Sequence, residues 1–104
     1  MTDSSKVIHV NIAFRNTEAT DALKNYATDK VSHCVKKFIH KDTEAHVVLR
    51  IEKNRQIAEV TLHSAGHDFN VKEESEDLYV SIDKLCNSLT EQLRRHKDRQ
   101  TSHH

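Results

Sequence analysis

The order of two hydrophobic periodicities limits the possible folds of this chain more than any other feature. Four segments alternate apolar and polar side chains, as strands with one buried face do. They span residues 7–14, 44–52, 56–64 and 68–73. Two others place apolar residues three and four positions apart, as amphipathic helices do. The first spans residues 17–39 and the second begins at residue 75.

Short polar stretches mark where these elements begin and turn. Thr17 and Ser75 are predicted N-caps, because acidic residues follow each of them in a first helical turn. Residues 53–55 and 65–67 are predicted hairpin turns, and Gly66 supplies the positive φ that such turns often need. The three consecutive strands therefore form a meander.

A half-buried sheet needs a cover on its apolar face, and two amphipathic helices supply one. The sequence predicts an α+β fold of order β-α-β-β-β-α, a four-stranded sheet with two helices on one face. If the chain reverses direction at each connection, both helices run parallel. Their C-terminal ends then meet at the same edge of the molecule.

At 104 residues, with no proline and one glycine, the chain is expected to be one domain over residues 1–104. The ordered core is predicted over about residues 6–97, with short polar tails. No apolar run approaches the roughly 18 residues of a membrane span, and no secretory leader is recognisable. Cys34 and Cys86 fall on helical apolar stripes. They are expected to be reduced core thiols of a cytoplasmic protein.

The chain has no formal net charge, but its negative and positive side chains are separated along each predicted helix. The 16 cations balance 16 anions, yet acids open both predicted helices and bases close them. The bases are Lys30, Lys36, Lys37, Lys41, Arg94, Arg95, Lys97 and Arg99. The helix macrodipole favours such a layout, but capping two helices does not require eight cations. The cluster predicts a phosphate-rich partner that is bound less tightly as salt rises.

The rest of the sequence narrows that partner to structured RNA. All five aromatic residues fall on apolar faces and are predicted core, so no stacking platform for single-stranded bases is expected. They are Phe14, Tyr26, Phe38, Phe69 and Tyr79. RNA would then be recognised by its backbone and shape.

Histidines on the outer strand positions suggest an alternative, a metal site. His9, His46 and His63 could cluster there, but such positions are more often polar surface, and a metal needs three or four supported ligands. No nucleophile arrangement is recognisable. We therefore expect no enzyme, no cofactor and no metal.

Three segments resemble the bacterial ribosome hibernation-promoting factors, also called sigma-54 modulation or ribosome-subunit-interface proteins. They are TEATDALKNYATDKV, AHVVLRIEKNRQIAEVTLH and ESEDLYVSIDKLCNSLTEQLRRHKD. The pattern E-D-L-Y-x-x-I-D opens the second helix, and Q-L-x-x-H-K-D closes it. The resemblance covers residue 7 to about residue 99, nearly the whole chain.

This resemblance implies a fold similar to that of double-stranded RNA-binding domains. It implies binding to the ribosomal RNA of the small ribosomal subunit, in the decoding channel, where the protein sterically excludes mRNA and tRNA in stationary phase or stress. The sequence stops soon after the second helix, as in the short form that acts with a separate ribosome modulation factor to give ribosome dimers. We expect a monomer off the ribosome, with no DNA and no membrane as partner.

The resemblance also suggests which cations bind ribosomal RNA. They are Lys24, Lys30, Lys37, Lys84, Arg94, Arg95, Lys97 and Arg99. Ser88 and Glu91 stand where family members often carry Lys and Arg. RNA binding is therefore expected to depend more on the cations at the end of the second helix. The alternative is a general double-stranded RNA-binding module without a special ribosome site.

Overall fold

The computed structural model describes residues 7–64 and 66–101. The described elements are β1 (Ile8–Arg15), α1 (Asp21–Lys36), β2 (Thr43–Glu52), β3 (Arg55–Ser64), β4 (His67–Ser75) and α2 (Leu78–Thr101). Their order confirms the predicted β-α-β-β-β-α fold. Ala65 of the second predicted turn and both predicted tails, apart from the end of α2, lie outside the described residues. Gly66 has the expected positive φ, 76°.

The four strands form one sheet in the order β1-β2-β3-β4. β1 pairs parallel with β2, as a crossover through α1 requires, and the other neighbours are antiparallel. The register sets Val47 opposite Val60, and Val60 opposite Val71. Because alternate residues share a face, this register aligns the apolar side chains in rows on one face of the sheet.

The two helices cover that apolar face and run parallel. The core of α2 consists of Leu78, Ile82, Leu85, Cys86, Leu89 and Leu93, all buried. Contacts between the helices pair residues in ascending order on both, from Tyr26 with Asp83 to Cys34 with Thr90. This order confirms the predicted parallel arrangement, which places both helix C-termini at one end.

Both predicted N-caps are wrong. Thr20, not Thr17, caps α1; it is extended at φ −111° and ψ 147°, and its hydroxyl accepts a hydrogen bond from the Leu23 N–H at 3.1 Å. The chain leaves β1 through Asn16, whose φ is 57°, which delays the start of the helix.

At the second helix, the predicted N-cap, Ser75, belongs to the preceding strand instead. Ser75 is the last residue of β4, and the Asp77 carboxylate accepts from the N–H groups of Tyr79 and Val80 at 2.7 and 3.4 Å. Asp77 therefore caps α2, because its oxygen satisfies the N–H groups that have no partner within the helix.

Two further details differ from the predictions. The helix α1 ends at Lys36 rather than near Ile39, whose N–H still bonds to the Val35 carbonyl at 2.9 Å. Tyr79 is 39% exposed rather than core, and its ring packs edge-on against Tyr26 with centroids 5.0 Å apart.

The corrected cap of α1 makes a direct prediction. Thr20→Ala is expected to lower the free energy of unfolding by about 1 kcal/mol, because it leaves one helix N–H without its acceptor. Thr17→Ala, at the position that the sequence pattern favoured, should change it by less than about 0.5 kcal/mol. Urea unfolding followed by circular dichroism measures both. Equal effects of the two substitutions would contradict the assignment.

Candidate nucleic-acid interface

The parallel helices bring cations from distant parts of the sequence to one end of the molecule. Lys41, just beyond α1, and Lys97, on α2, line one cavity of about 230 Å³. Neither side chain has an ion pair among the described residues. This part of the structure fits a surface for phosphate groups, because no described acidic side chain pairs with these two lysines.

A groove of about 350 Å³ runs between the two helices, upstream of that end. Lys30 of α1 and Lys37, directly after α1, line it on one side, and Asn87 and Thr90 line it from α2. Asp29 also lines the groove, so two cations and neutral hydrogen-bonding side chains, which suit contacts to phosphate and sugar, lie beside one carboxylate.

Cys34 and Cys86 also line this groove, and both are buried, as predicted, and free. The sulfur of Cys34 lies 3.0 Å from the Thr90 hydroxyl oxygen and 3.7 Å from the Cys86 carbonyl oxygen. Burial raises the pKa of Cys86 to about 12 and also raises the pKa of Cys34. Both therefore remain neutral thiols at neutral pH and add no negative charge beside the lysines.

Lys30 shares its charge with an acidic residue of α2. Its Nζ lies 3.3 Å from the Asp83 carboxylate, to which the Tyr26 hydroxyl also donates at 2.5 Å. The hydrogen bond from Tyr26 is the main reason that the pKa of Asp83 is lowered, and the bond to Asp83 raises the pKa of Lys30. Lys30 is thus held at the groove but partly neutralised, whereas Lys37 has no described ion pair.

Other predicted cations lie on the opposite flank of α2, against β4. Lys84 donates to the Glu74 carbonyl oxygen at 3.0 Å. Arg95 and Arg99 line a cleft with His67 and Phe69.

Lys24 lies apart from both groups. It is exposed near the start of α1, about 20 Å from Lys37 along the helix axis, at about 1.5 Å per residue. The eight predicted residues therefore surround the helices rather than forming one patch.

The two departures from the family pattern have distinct structural consequences. Glu91 lies 3.2 Å from Arg94 and 3.7 Å from Arg95, so it shares the charge of both. These pairs are exposed and worth little, so a phosphate could compete for either arginine. Ser88 instead donates to the Glu73 carboxylate at 2.6 Å, on the flank that faces β4.

The outer face of the sheet gives little support to the metal alternative. His9, His46 and His63 are exposed, His46 lies 3.7 Å from Glu44, and His63 contacts Asp68. Within residues 7–64 and 66–101, no three His, Cys, Asp or Glu side chains are grouped so that they could hold a metal. In the same part of the chain, no helix has the length and apolar character to span a membrane.

Sequence reasoning missed several residues of this surface. Lys41 was counted among the clustered cations but not among the RNA contacts, although it lines the same cavity as Lys97. Asn87 and Thr90 were missed because a polar side chain on a helix does not by itself show that it faces a second helix. Their spacing from Asp83, at four and seven positions, is the sequence signal that places them on one helical face.

Comparison with known proteins decides the family. A sequence model described as "Sigma 54 modulation protein / S30EA ribosomal protein" matches residues 10–101. The chain belongs to this family. The ribosome hibernation promoting factor of Salmonella typhimurium is 34% identical over 96 residues, which cover 92% of this chain and 100% of that protein. The factor of Azotobacter vinelandii is 37% identical over 93 residues, covering 89% and 86% of the two chains.

Solved structures with the same fold belong to proteins with related names. The N-terminal domain of Thermus thermophilus Protein Y superimposes with a TM-score of 0.76 at 27% identity, over 85% of this chain and 98% of that one. A ribosomal subunit interface protein from Coxiella burnetii also gives a TM-score of 0.76, over 86% and 98% of the two chains. At 22% identity, that second likeness supports the fold alone.

Proposed function

We propose that this chain is a ribosome hibernation factor that binds the small ribosomal subunit through its ribosomal RNA and inhibits translation. One observation carries the proposal: the match to a ribosome hibernation promoting factor extends over the whole length of that relative. The parallel helices support it, because they gather cations from two separate segments at one end. Such a surface suits the phosphates of a folded RNA.

The mechanism in this proposal is steric. The groove lysines and the cations at the end of α2 contact ribosomal RNA phosphates in the decoding channel. The folded domain then occupies the space of mRNA and tRNA. No covalent step is needed, so the protein acts as a binding factor rather than an enzyme. It acts in the cytoplasm, where ribosomes work, and promotes ribosome dimers together with a separate modulation factor.

Sedimentation of purified ribosomes with the protein tests this proposal. We expect saturable binding to the small subunit at low and moderate salt. Loading the subunit beforehand with mRNA and initiator tRNA should abolish it, because both ligands need the same channel. Binding that is indifferent to these ligands would contradict the proposed position, and absence of binding at moderate salt would contradict the function.

A general double-stranded RNA-binding module is the alternative, since its layout of sheet and helices is similar. A competition arm separates the two. Free duplex RNA should displace a general module from ribosomes when the duplex is present at a concentration similar to that of the ribosomes. A hibernation factor with a shaped site should be displaced only weakly, since phosphate contacts alone do not reproduce that site.

A further inference from the structure

We infer that the cavity between the C-terminal ends of α1 and α2 binds an unpaired nucleotide, with the base inside the cavity and the phosphate at its cationic rim. The inference rests on the proposed function, which supplies an RNA partner. It goes beyond that function because it assigns recognition of a base to a surface otherwise expected to contact backbone only.

The cavity has the size and the walls that a flat aromatic ligand needs. Its volume is about 230 Å³, and Phe38, Ile39, Phe69 and Leu93 line it. An apolar cavity of roughly 150 Å³ is enough to hold benzene in another protein. A nucleobase therefore fits here, and its faces would meet apolar side chains rather than water.

His96 supplies the polar group that could orient the base. Its ring stacks on His67 with centroids 4.7 Å apart and meets Phe69 edge-on at 5.4 Å. Its Nε2 is buried and has no hydrogen-bond partner among the described residues. His96 lines the cavity, and because imidazole torsions are broad its ring can turn toward a ligand there. Nucleobase edges carry both donors and acceptors, so either tautomer of His96 could be satisfied.

The rim of the cavity suits the phosphate of the same nucleotide. Lys41 and Lys97 both line it, and none of the described residues that line it is acidic. The groove between the helices differs in this respect, because Asp29 lines it beside Lys30. Apolar walls, one unpaired nitrogen and two cations together match a nucleotide better than they match an apolar ligand or a bare phosphate.

The first arm of the test uses the protein alone. Aromatic proton resonances of His67, Phe69 and His96 are followed by NMR during titration with a nucleoside 5′-monophosphate. Ribose 5-phosphate is the matched control, since it retains sugar and phosphate and lacks the base. We expect saturable shifts of the three rings with the nucleotide only. Equal shifts with both compounds, or no shift of these rings, would overturn the inference.

Two variants separate the base contact from the phosphate contact. His96→Phe keeps a ring stacked on His67 and removes the nitrogen. It should lower the affinity for the nucleotide between about twofold and tenfold. Lys97→Gln removes a cation at an exposed position of the rim and should weaken binding of the nucleotide through its phosphate. Lys72→Gln on the outer sheet face should not weaken it. If His96→Phe fails to fold, the comparison of nucleotide with ribose 5-phosphate on the native protein still decides the inference.

The second arm identifies the source of the nucleotide. Ribosomes with bound protein are treated with a reagent that modifies unpaired bases. Protection of one ribosomal RNA base by the native protein, lost with His96→Phe, assigns the cavity to a nucleotide of the RNA. Ring shifts in the first arm without such protection assign it to a free nucleotide. Failure to bind ribosomes would contradict the proposed function and leave the first arm to decide the cavity by itself.

Discussion

Replacing Lys37, Arg95 and Lys97 together by glutamine is expected to weaken binding to the small ribosomal subunit by about two to three orders of magnitude at about 0.1 M salt. Each phosphate contact that is lost removes about 0.7–0.9 from the slope of log affinity against log salt. The three positions sample the groove, the flank and the rim of the cavity. Binding isotherms at several salt concentrations give both the affinity and the slope.

A control with equal charge separates position from net charge. Arg15, Lys53 and Lys72 are exposed and lie in β1, in the β2–β3 turn and in β4. Glutamine at all three also removes three positive charges, but far from the helix C-termini. This variant should retain most of the affinity and an almost unchanged slope. Equal losses in the two variants would mean that the protein binds RNA by net charge alone, without the assigned surface.

The element order and the inward face of each strand were predictable from the two hydrophobic periodicities. A strand displaced by one residue would turn Val47 and Val60 toward solvent, so the alternating pattern excludes every register displaced by an odd number of residues. The caps were not predictable, because Thr17 and Thr20 both precede acidic residues and both suit an N-cap. Only the backbone distinguishes them: Asn16, directly before Thr17, has a φ of 57°, and the helix begins at Asp21.

The candidate interface likewise has features that the sequence predicts and features that it does not. The collection of cations at one end followed from chain direction alone. Their distribution around α2 did not, because the rotation of the helix on the sheet decides whether Lys84 faces β4 or α1. The cavity could not be predicted from the sequence, since its walls come from residues 38–41 after α1, from α2 and from two strands. The individual RNA contacts stay predictions that the charge substitutions test.

Leu89→Ala is expected to lower the free energy of unfolding by about 3–5 kcal/mol. Leu89 is fully buried at the centre of α2 and belongs to the hydrophobic core, so its truncation leaves a cavity there. The loss would remove a large part of the roughly 5–15 kcal/mol that holds a typical domain folded. The midpoint temperature of thermal unfolding should decrease by about 15 °C. Calorimetry and urea unfolding measure the two quantities.

Val80→Ala on the same helix is the matched control. Val80 is 47% exposed, so the substitution should change the free energy of unfolding by about 0.5 kcal/mol or less. The pair also separates stability from recognition. No cation lies at position 89, so folded Leu89→Ala protein should bind ribosomes with native affinity well below its unfolding transition. A large loss of affinity at temperatures where the variant is folded would mean that exact docking of α2, and not only its cations, sets the shape that the RNA recognises.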